Sequence, residues 1–130
     1  MDKNTSHLAG EFLVAGELAR HGLAVSITFG NAKSVDIYAQ SENNTYRVDA
    51  KALRSRSNWP VNSANINSTV IYVFVYLGNK TNIKNNVPPE YFIVNGSVLP
   101  TLITRWKGRS GVTYKTLNGS KHKNDWSVFT

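Results

Sequence analysis

Three acidic residues and one lysine have the types and the spacing to hold a metal ion beside a cleavable phosphate. Glu11 lies in an N-terminal helical segment, Asp36 near the start of an extended segment, and Asp49 and Lys51 flank Ala50 in the next one. Carboxylate oxygens are hard ligands that suit Mg²⁺ or Mn²⁺. A lysine beside a metal-bound water can orient that water or help to deprotonate it. Together these residues predict metal-assisted hydrolysis of a phosphodiester.

A β-hairpin over residues 34–51 is the predicted element that brings most of this set together. Two runs of strand-forming residues surround a turn-forming cluster at 41–44, which is typical of a hairpin. Side chains two positions apart on a strand share a face, so Asp49 and Lys51 should point the same way. Asp36 should lie close to Asp49 across the hairpin if the register permits it.

Residues 7–21 predict a helix that follows N-cap candidates at 4–6 and ends at Gly22. At 100° per residue, the apolar arc of this helix includes Glu11 but not Glu17. The other members of the arc are Leu8, Phe12, Val14, Ala15, Leu18 and Ala19. Glu11 is therefore expected to face the core and to need a partner, whereas Glu17 is expected to be a solvated surface charge.

The remaining pattern predicts further strands at 23–29, 69–77 and 91–95, and a short helix within 99–106. The run 69–77 is apolar on both faces, as a central strand would be. This order predicts an α/β fold with a mixed sheet against which the first helix packs. At 130 residues the chain is expected to be one domain, with a core at about 7–106 and a basic tail at about 107–130. Trp126 and Phe129 are the expected anchors of that tail.

The composition excludes several kinds of site. The chain has no cysteine, and so it has no disulfide, thiol nucleophile, zinc–thiolate site or iron–sulfur cluster. The N-terminus has no basic-then-apolar leader, and no run approaches the ~18 apolar residues of a membrane span. A cytoplasmic protein with no membrane partner is the expectation.

The charge is distributed unevenly along the chain. Up to Asp49 there are 4 Lys/Arg and 6 Asp/Glu, a net charge of −2, whereas from Ala50 onward there are 11 Lys/Arg against Glu90 and Asp125, a net charge of +9. A basic body with carboxylates concentrated in one place suits a protein that binds a polyanion and also holds a cation. The alternative is a small basic protein that binds nothing specific.

The arrangement of Glu11, Asp36 and Asp49-Ala50-Lys51 resembles the PD-(D/E)XK nuclease superfamily, which has an acid, a variable gap and (Asp/Glu)-x-Lys on successive strands of an αβββαβ core. Residues 10–12 and 19–22 also resemble the first helix of archaeal Holliday-junction resolvases and related small endonucleases. The resemblance implies a mixed central sheet flanked by helices. It also implies that Glu11, Asp36, Asp49 and the carbonyl of Ala50 bind the metal, and that Lys51 assists the attacking water.

The chain departs from that pattern in three places. Val35 stands where the motif has proline, and Asp49 stands where glutamate is commoner. The second helix of the core should fall between Lys51 and Val70, where the sequence indicates only a loop or a short helical turn.

The function implied is a Mg²⁺- or Mn²⁺-dependent DNA endonuclease that acts as a homodimer and is resolvase-like, homing or restriction-like. Lys33, Arg54 and Arg56 are candidates for contacts to backbone phosphates. Trp59 is a candidate for stacking on a base, and the alternative for it is a loop anchor. The rival functions are a non-catalytic nucleic-acid-binding module on the same fold and an RNA-directed nuclease or binder.

Simpler structural roles exist for the same residues. Asp49 and Lys51 could form a surface salt bridge, Asp36 could cap a turn, and Glu11 could pair with a base such as Arg47. The histidines, which are His7, His21 and His122, are expected at the surface rather than in a catalytic role.

Overall fold

The computed structural model describes residues 3–28, 37–79 and 83–130, and these form three layers. The elements are α1 (Lys3–Arg20), β1 (Ala24–Ile27), β2 (Ile37–Gln40), β3 (Thr45–Leu53), β4 (Asn58–Pro60), β5 (Val70–Tyr76), β6 (Glu90–Asn95), β7 (Thr104–Trp106), β8 (Arg109–Thr113) and α2 (Tyr114–Leu117). A five-stranded sheet has the order β1-β2-β3-β5-β6, and a three-stranded sheet has the order β4-β8-β7. The pair β3–β5 is parallel, and the other neighbours are antiparallel. The predicted α/β fold with a mixed sheet is confirmed.

Helix α1 ends in a Schellman motif at Gly22, as the sequence predicts. The Leu23 amide donates to the Leu18 carbonyl at 3.2 Å, and the Gly22 amide donates to the Ala19 carbonyl at 3.0 Å. Gly22 has a φ of 92°, a left-handed conformation in which a Cβ would be strained. The predicted start is wrong, because the helix begins at Lys3 and the N-cap candidates lie within it. Within the described helices, none is long and apolar enough to cross a membrane.

The buried face of α1 is rotated by roughly a quarter turn from the predicted apolar arc. Val14, Ala15 and Leu18 are buried as expected, but Leu8 and Phe12 are 46% and 50% exposed, and Ala19 is exposed as well. Gly10 explains the rotation, because a Cβ on it would lie 2.6 Å from the Ala52 Cβ. The helix therefore approaches β3 through a residue without a side chain, which a hydrophobicity pattern does not mark.

The two faces of the five-stranded sheet belong to two separate cores. Val48 and Ala50 of β3 and Val73 and Val75 of β5 point towards α1 and are fully or almost fully buried. The alternate residues of β5 point the other way and pack with the three-stranded sheet; they are Tyr72, Phe74 and Tyr76. Strand β5 is thus buried on both faces, as predicted for a central strand.

The three-stranded sheet lies where the resemblance implies a second flanking helix. The crossover from β3 to β5 contains β4 and a 3₁₀ turn at Ser63–Asn65, and it contains no α-helix. Strand β4 pairs with β8 through Trp59↔Val112. The helix predicted within 99–106 is also wrong in part, because a 3₁₀ turn at Leu99–Leu102 is followed by β7. The central sheet is therefore flanked by a helix on one face and by a small sheet on the other.

The C-terminal tail is anchored as expected. Phe129 is buried in the core beneath α1, and the Trp126 ring stacks on His21 with ring centroids 5.1 Å apart. The Ile93 amide donates to the His122 carbonyl at 3.0 Å, which ties the tail to β6.

Glu90 joins three further segments to β6. It accepts a hydrogen bond from the Tyr114 hydroxyl at 2.7 Å and lies 3.4 Å from both Arg56 and Lys123. Burial alone would raise the pKa of Glu90, but the Tyr114 hydrogen bond and the two cations together lower it from its ordinary value. The carboxylate therefore stays charged and holds α2, the crossover and the tail in place.

Candidate active site

Strand β3 presents Asp49 and Lys51 side by side on one face, as predicted. Their parallel partners in β5 are Tyr72 and Phe74, so both point away from α1. The Lys51 Nζ lies 3.4 Å from the Asp49 Oδ2, and the two side chains are 30% and 28% exposed. Between them, Ala50 is 1% exposed and packs towards α1. A half-buried carboxylate and ammonium are thus held in contact with each other and with solvent.

A cleft of about 560 Å³ runs along the edge of β3 at this point. The described pairing of β3 with β2 runs from Thr45↔Gln40 to Val48↔Ile37, and its pairing with β5 continues to Leu53. The cleft receives side chains from β3, from α1 and from β4. We refer to this as the β3 cleft; its lining residues are Ser6, His7, Asp49, Ala50, Lys51, Ala52, Leu53, Arg54, Trp59 and Pro60.

Glu11 faces inward, as predicted, and it contacts His7. Glu11 is 7% exposed, and its Oε1 lies 2.6 Å from the His7 Nε2 one helical turn away. Ser6 and His7 line the β3 cleft and Glu11 does not, so α1 reaches the cleft through these two residues.

Glu17 differs from Glu11, as the helical positions predict. It accepts two hydrogen bonds from Arg20, at 2.7 Å and 3.1 Å, in an exposed pair. The hydrogen bond from Arg20 lowers the pKa of Glu17, although slight burial opposes it. Glu17 is therefore a charge at the surface that is paired with Arg20, with 22% of its side chain exposed.

Two of the predicted site residues, Asp36 and Lys33, lie outside the described residues. Within the described residues, no three side chains among His, Asp and Glu lie close enough together to hold a metal ion. Of the three predicted carboxylates, the structure describes Asp49 at the cleft and Glu11 beside His7. The role of Asp36 stays a prediction.

The predicted nucleic-acid contacts have different surroundings. Arg54 lines the β3 cleft beside Lys51. Arg56 lies over the rings of Tyr76 and Tyr114, with its Cζ 5.1 Å and 5.5 Å from the ring centroids. Both arginines remain candidates, although Arg56 also has a structural role through these rings.

Trp59 is placed as a core residue. It is 1% exposed, its indole nitrogen donates to the Val75 carbonyl at 3.2 Å, and its ring packs edge-on against Phe74 and Phe92. Its ring faces are thus not available to a base in this conformation. The position agrees with the alternative role of loop anchor.

His7 is the cleft residue that sequence reasoning assigned to the surface. Its side chain is about half exposed, as expected for a surface residue, and it also lines the cleft. The signal for it was the spacing to Glu11, because residues four apart lie on the same side of a helix. The other lining residues that the sequence did not indicate are Ser6, Ala52, Leu53 and Pro60.

Comparison with known proteins supports the fold and leaves the family open. No protein-family model matches the chain, and no curated protein matches it. Among solved structures, the chain is similar to that of a bacterial homing endonuclease, I-Ssp6803I, with a TM-score of 0.64 over 98% of this chain and 90% of that chain. The two sequences are 9% identical, so the likeness concerns the fold. The chain thus shares its fold with a bacterial homing endonuclease.

Proposed function

We propose that this chain is a Mg²⁺- or Mn²⁺-dependent DNA endonuclease of the PD-(D/E)XK type, which hydrolyses phosphodiester bonds at the β3 cleft. The observation that carries the proposal is that β3 presents the Asp49 carboxylate and the Lys51 ammonium on one face, where both line a solvent-accessible cleft. The fold shared with a homing endonuclease supports it, as does the net charge of +7, because a positive protein attracts a polyanion.

The donor chemistry at the cleft fits a hard divalent cation. Mg²⁺ typically uses one or two carboxylates together with waters and substrate oxygens, and the Asp49 carboxylate faces the cleft. Asp49 would hold the ion with the carbonyl of Ala50, Asp36 and Glu11. When bound, the ion would act as a Lewis acid and lower the pKa of a coordinated water.

Lys51 performs the part of the reaction that this chain supplies directly. Its ammonium, held 3.4 Å from Asp49, can donate to the attacking water and to a phosphate oxygen that gains negative charge. The water gives up one proton to solvent as its oxygen bonds to phosphorus, the bond from phosphorus to one bridging oxygen breaks, and that oxygen takes up a proton from solvent. No covalent bond to the protein forms in this scheme.

A homodimer is the expected working form. One chain presents one β3 cleft, and cleavage of both strands of a duplex needs two such sites related by a twofold axis.

A non-catalytic nucleic-acid-binding module is the second candidate. It is favoured by the direct pairing of Asp49 with Lys51 and by the lack of a three-residue metal group within 3–28, 37–79 and 83–130. On this alternative the pair is a structural salt bridge, and DNA binding does not depend on a divalent ion.

The deciding experiment is a cleavage assay on supercoiled plasmid and on a synthetic four-way junction, with Mg²⁺, Mn²⁺, Ca²⁺ or chelator. We expect cleavage with Mg²⁺ and Mn²⁺. With Ca²⁺ we expect binding without cleavage, because Ca²⁺ is larger and more loosely coordinated. Binding in every condition with cleavage in none would establish the binding module instead. A matched RNA duplex as competitor separates DNA from RNA preference.

The two glutamates of α1 provide a second, internal test. We expect Glu11→Ala to reduce the cleavage rate by about 10- to 100-fold, because it removes the partner that orients His7 and a proposed metal ligand. Glu17→Ala is expected to change the rate by less than about twofold, since an exposed pair contributes little. Glu11→Gln, which keeps the volume, separates loss of charge from loss of packing. Equal rates for the two alanine variants would contradict the assignment.

A further inference from the structure

The β7–β8 hairpin forms a second cleft, which meets the β3 cleft at Pro60. It has a volume of about 530 Å³, and we refer to it as the hairpin cleft. The residues that matter for its chemistry are Pro60, Asn62, Arg105, Trp106, Arg109 and Ser110. Pro60 is exposed and lines both clefts, so one extended ligand that crosses it can contact both.

Two guanidinium groups are held in place on the two faces of this hairpin. Trp106 and Arg109 are cross-strand partners and so share a face, where the Arg109 Cζ lies 5.5 Å from the Trp106 ring centroid. Arg105 pairs with Ser110 on the other face, and its NH1 donates to the Ser63 Oγ at 2.8 Å. Their conformations are therefore partly fixed before any ligand binds, which lowers the entropic cost of binding.

A tight turn places a third cation at the tip. Trp106 and Arg109 pair directly, which leaves Lys107 and Gly108 as the turn, and Gly108 has a φ of 77°. This left-handed conformation suits glycine, and it leaves Lys107 exposed.

The positive charge of the hairpin is not neutralised by the described part of the chain. No carboxylate within 3–28, 37–79 and 83–130 lies at ion-pair distance from Arg105, Lys107 or Arg109. The acids with cationic partners are used elsewhere, as Glu90 is with Arg56 and Lys123. The groups that hold Arg105 and Arg109 are a hydroxyl and an aromatic ring, so both keep their full charge for a ligand.

We propose that the hairpin cleft binds the phosphate backbone of duplex DNA that flanks the phosphate at the β3 cleft; this rests on the proposed function. A chain of phosphates, unlike a single anion, can cross Pro60 and reach both clefts. Strand β8 pairs with β4 from Gly111 onward, so Arg105 and Arg109 lie at the end of the hairpin beyond that pairing, where they can be directed to backbone phosphates.

The test measures binding in Ca²⁺ without any cleavage readout, using a labelled duplex of about three helical turns. Affinity is followed between about 50 and 200 mM salt for the double variant Arg105→Gln/Arg109→Gln. We expect it to bind about tenfold or more weakly at the lower salt, and the slope of log K against log salt to become shallower by about 2. Lys107→Gln, at an exposed turn position, should make the slope of log K against log salt shallower by about 1 without affecting folding.

The matched control is Lys115→Gln/Lys121→Gln, which removes the same charge from exposed positions outside both clefts. Equal losses for the two double variants would overturn the proposal, as would an unchanged slope in the hairpin variants. DNA binding without cleavage by the wild type, together with a shallower slope of log K against log salt in the hairpin variants, would contradict the proposed nuclease function and support the hairpin site. Cleavage by the wild type, together with unchanged binding by the hairpin variants, would support the nuclease function and contradict the hairpin site.

Discussion

Lys51→Ala is expected to reduce the rate of DNA cleavage by about 100- to 10,000-fold, because it removes the group that orients the water and offsets charge on the phosphate. The loss should appear in the single-turnover rate at saturating protein, where weaker binding does not contribute. Affinity should fall by less than about tenfold, since one phosphate contact is lost. Lys51→Arg keeps the charge but changes the donor geometry, and it should recover little of the rate.

Asp49→Asn separates a role of the Asp49–Lys51 pair in cleavage from the effect of its charges on DNA binding. It is expected to stop cleavage as well, but to strengthen DNA binding slightly, because it removes a negative charge next to the bound phosphates. Lys115→Ala is the control for loss of a surface cation, since Lys115 is exposed and lines neither cleft. Turnover at the wild-type rate by Lys51→Ala would remove Lys51 from the mechanism and favour the salt-bridge role for it.

Trp59→Ala is expected to lower the free energy of unfolding by about 3–5 kcal/mol, the usual cost of truncating a buried aromatic ring. The ring is 1% exposed, contacts Phe74 and Phe92, and donates to the Val75 carbonyl. The melting temperature should fall by about 10–20 °C for a domain of this size. Trp59→Phe keeps most of the packing but leaves the Val75 carbonyl without this donor, and should cost about 1–2 kcal/mol.

The same variants decide between the two roles predicted for Trp59. A loop anchor predicts loss of stability in proportion to lost packing, measured by thermal or chemical unfolding. The control is Ile83→Ala, at a fully exposed apolar residue, which should change stability by less than about 0.5 kcal/mol. A Trp59→Ala protein that melts normally but binds DNA more weakly would support base stacking instead.

The features that local spacing determines could be predicted from the sequence. The alternation of β3 separates Asp49 and Lys51 from Ala50 whatever the sheet packs against. The end of α1 follows from Gly22, because a left-handed residue is needed there. The difference between Glu11 and Glu17 follows from their positions around a helix.

The features that depend on distant partners could not be predicted. Which part of the apolar arc of α1 is buried depends on the approach of Gly10 to Ala52, forty-odd residues away in sequence, and so Leu8 and Phe12 were misassigned. Strand β4 has three residues and includes Pro60, and its partner β8 includes Gly111. Neither segment has a strand pattern of its own. Their pairing is stabilised instead by the core around Trp59.

His7 shows a similar limit at the site itself. Its position one turn before Glu11 is visible in the sequence, but the packing of α1 that brings its side chain to the same cleft as Asp49 and Lys51 is not. That packing depends on the approach of Gly10 to Ala52 of β3, which no local pattern specifies.

The division of the molecule into two cores has a consequence for how the chain folds. The helix and strands of the layer formed by α1 and the five-stranded sheet all lie within the first 95 residues. Strand β4 can pair only after β8 is in place, because Pro60 pairs with Gly111. Closing that larger loop costs more chain entropy and slows the step. The wall of the β3 cleft that carries Asp49 and Lys51 is therefore expected to form early, and the wall that carries Trp59 and Pro60 to close on it last.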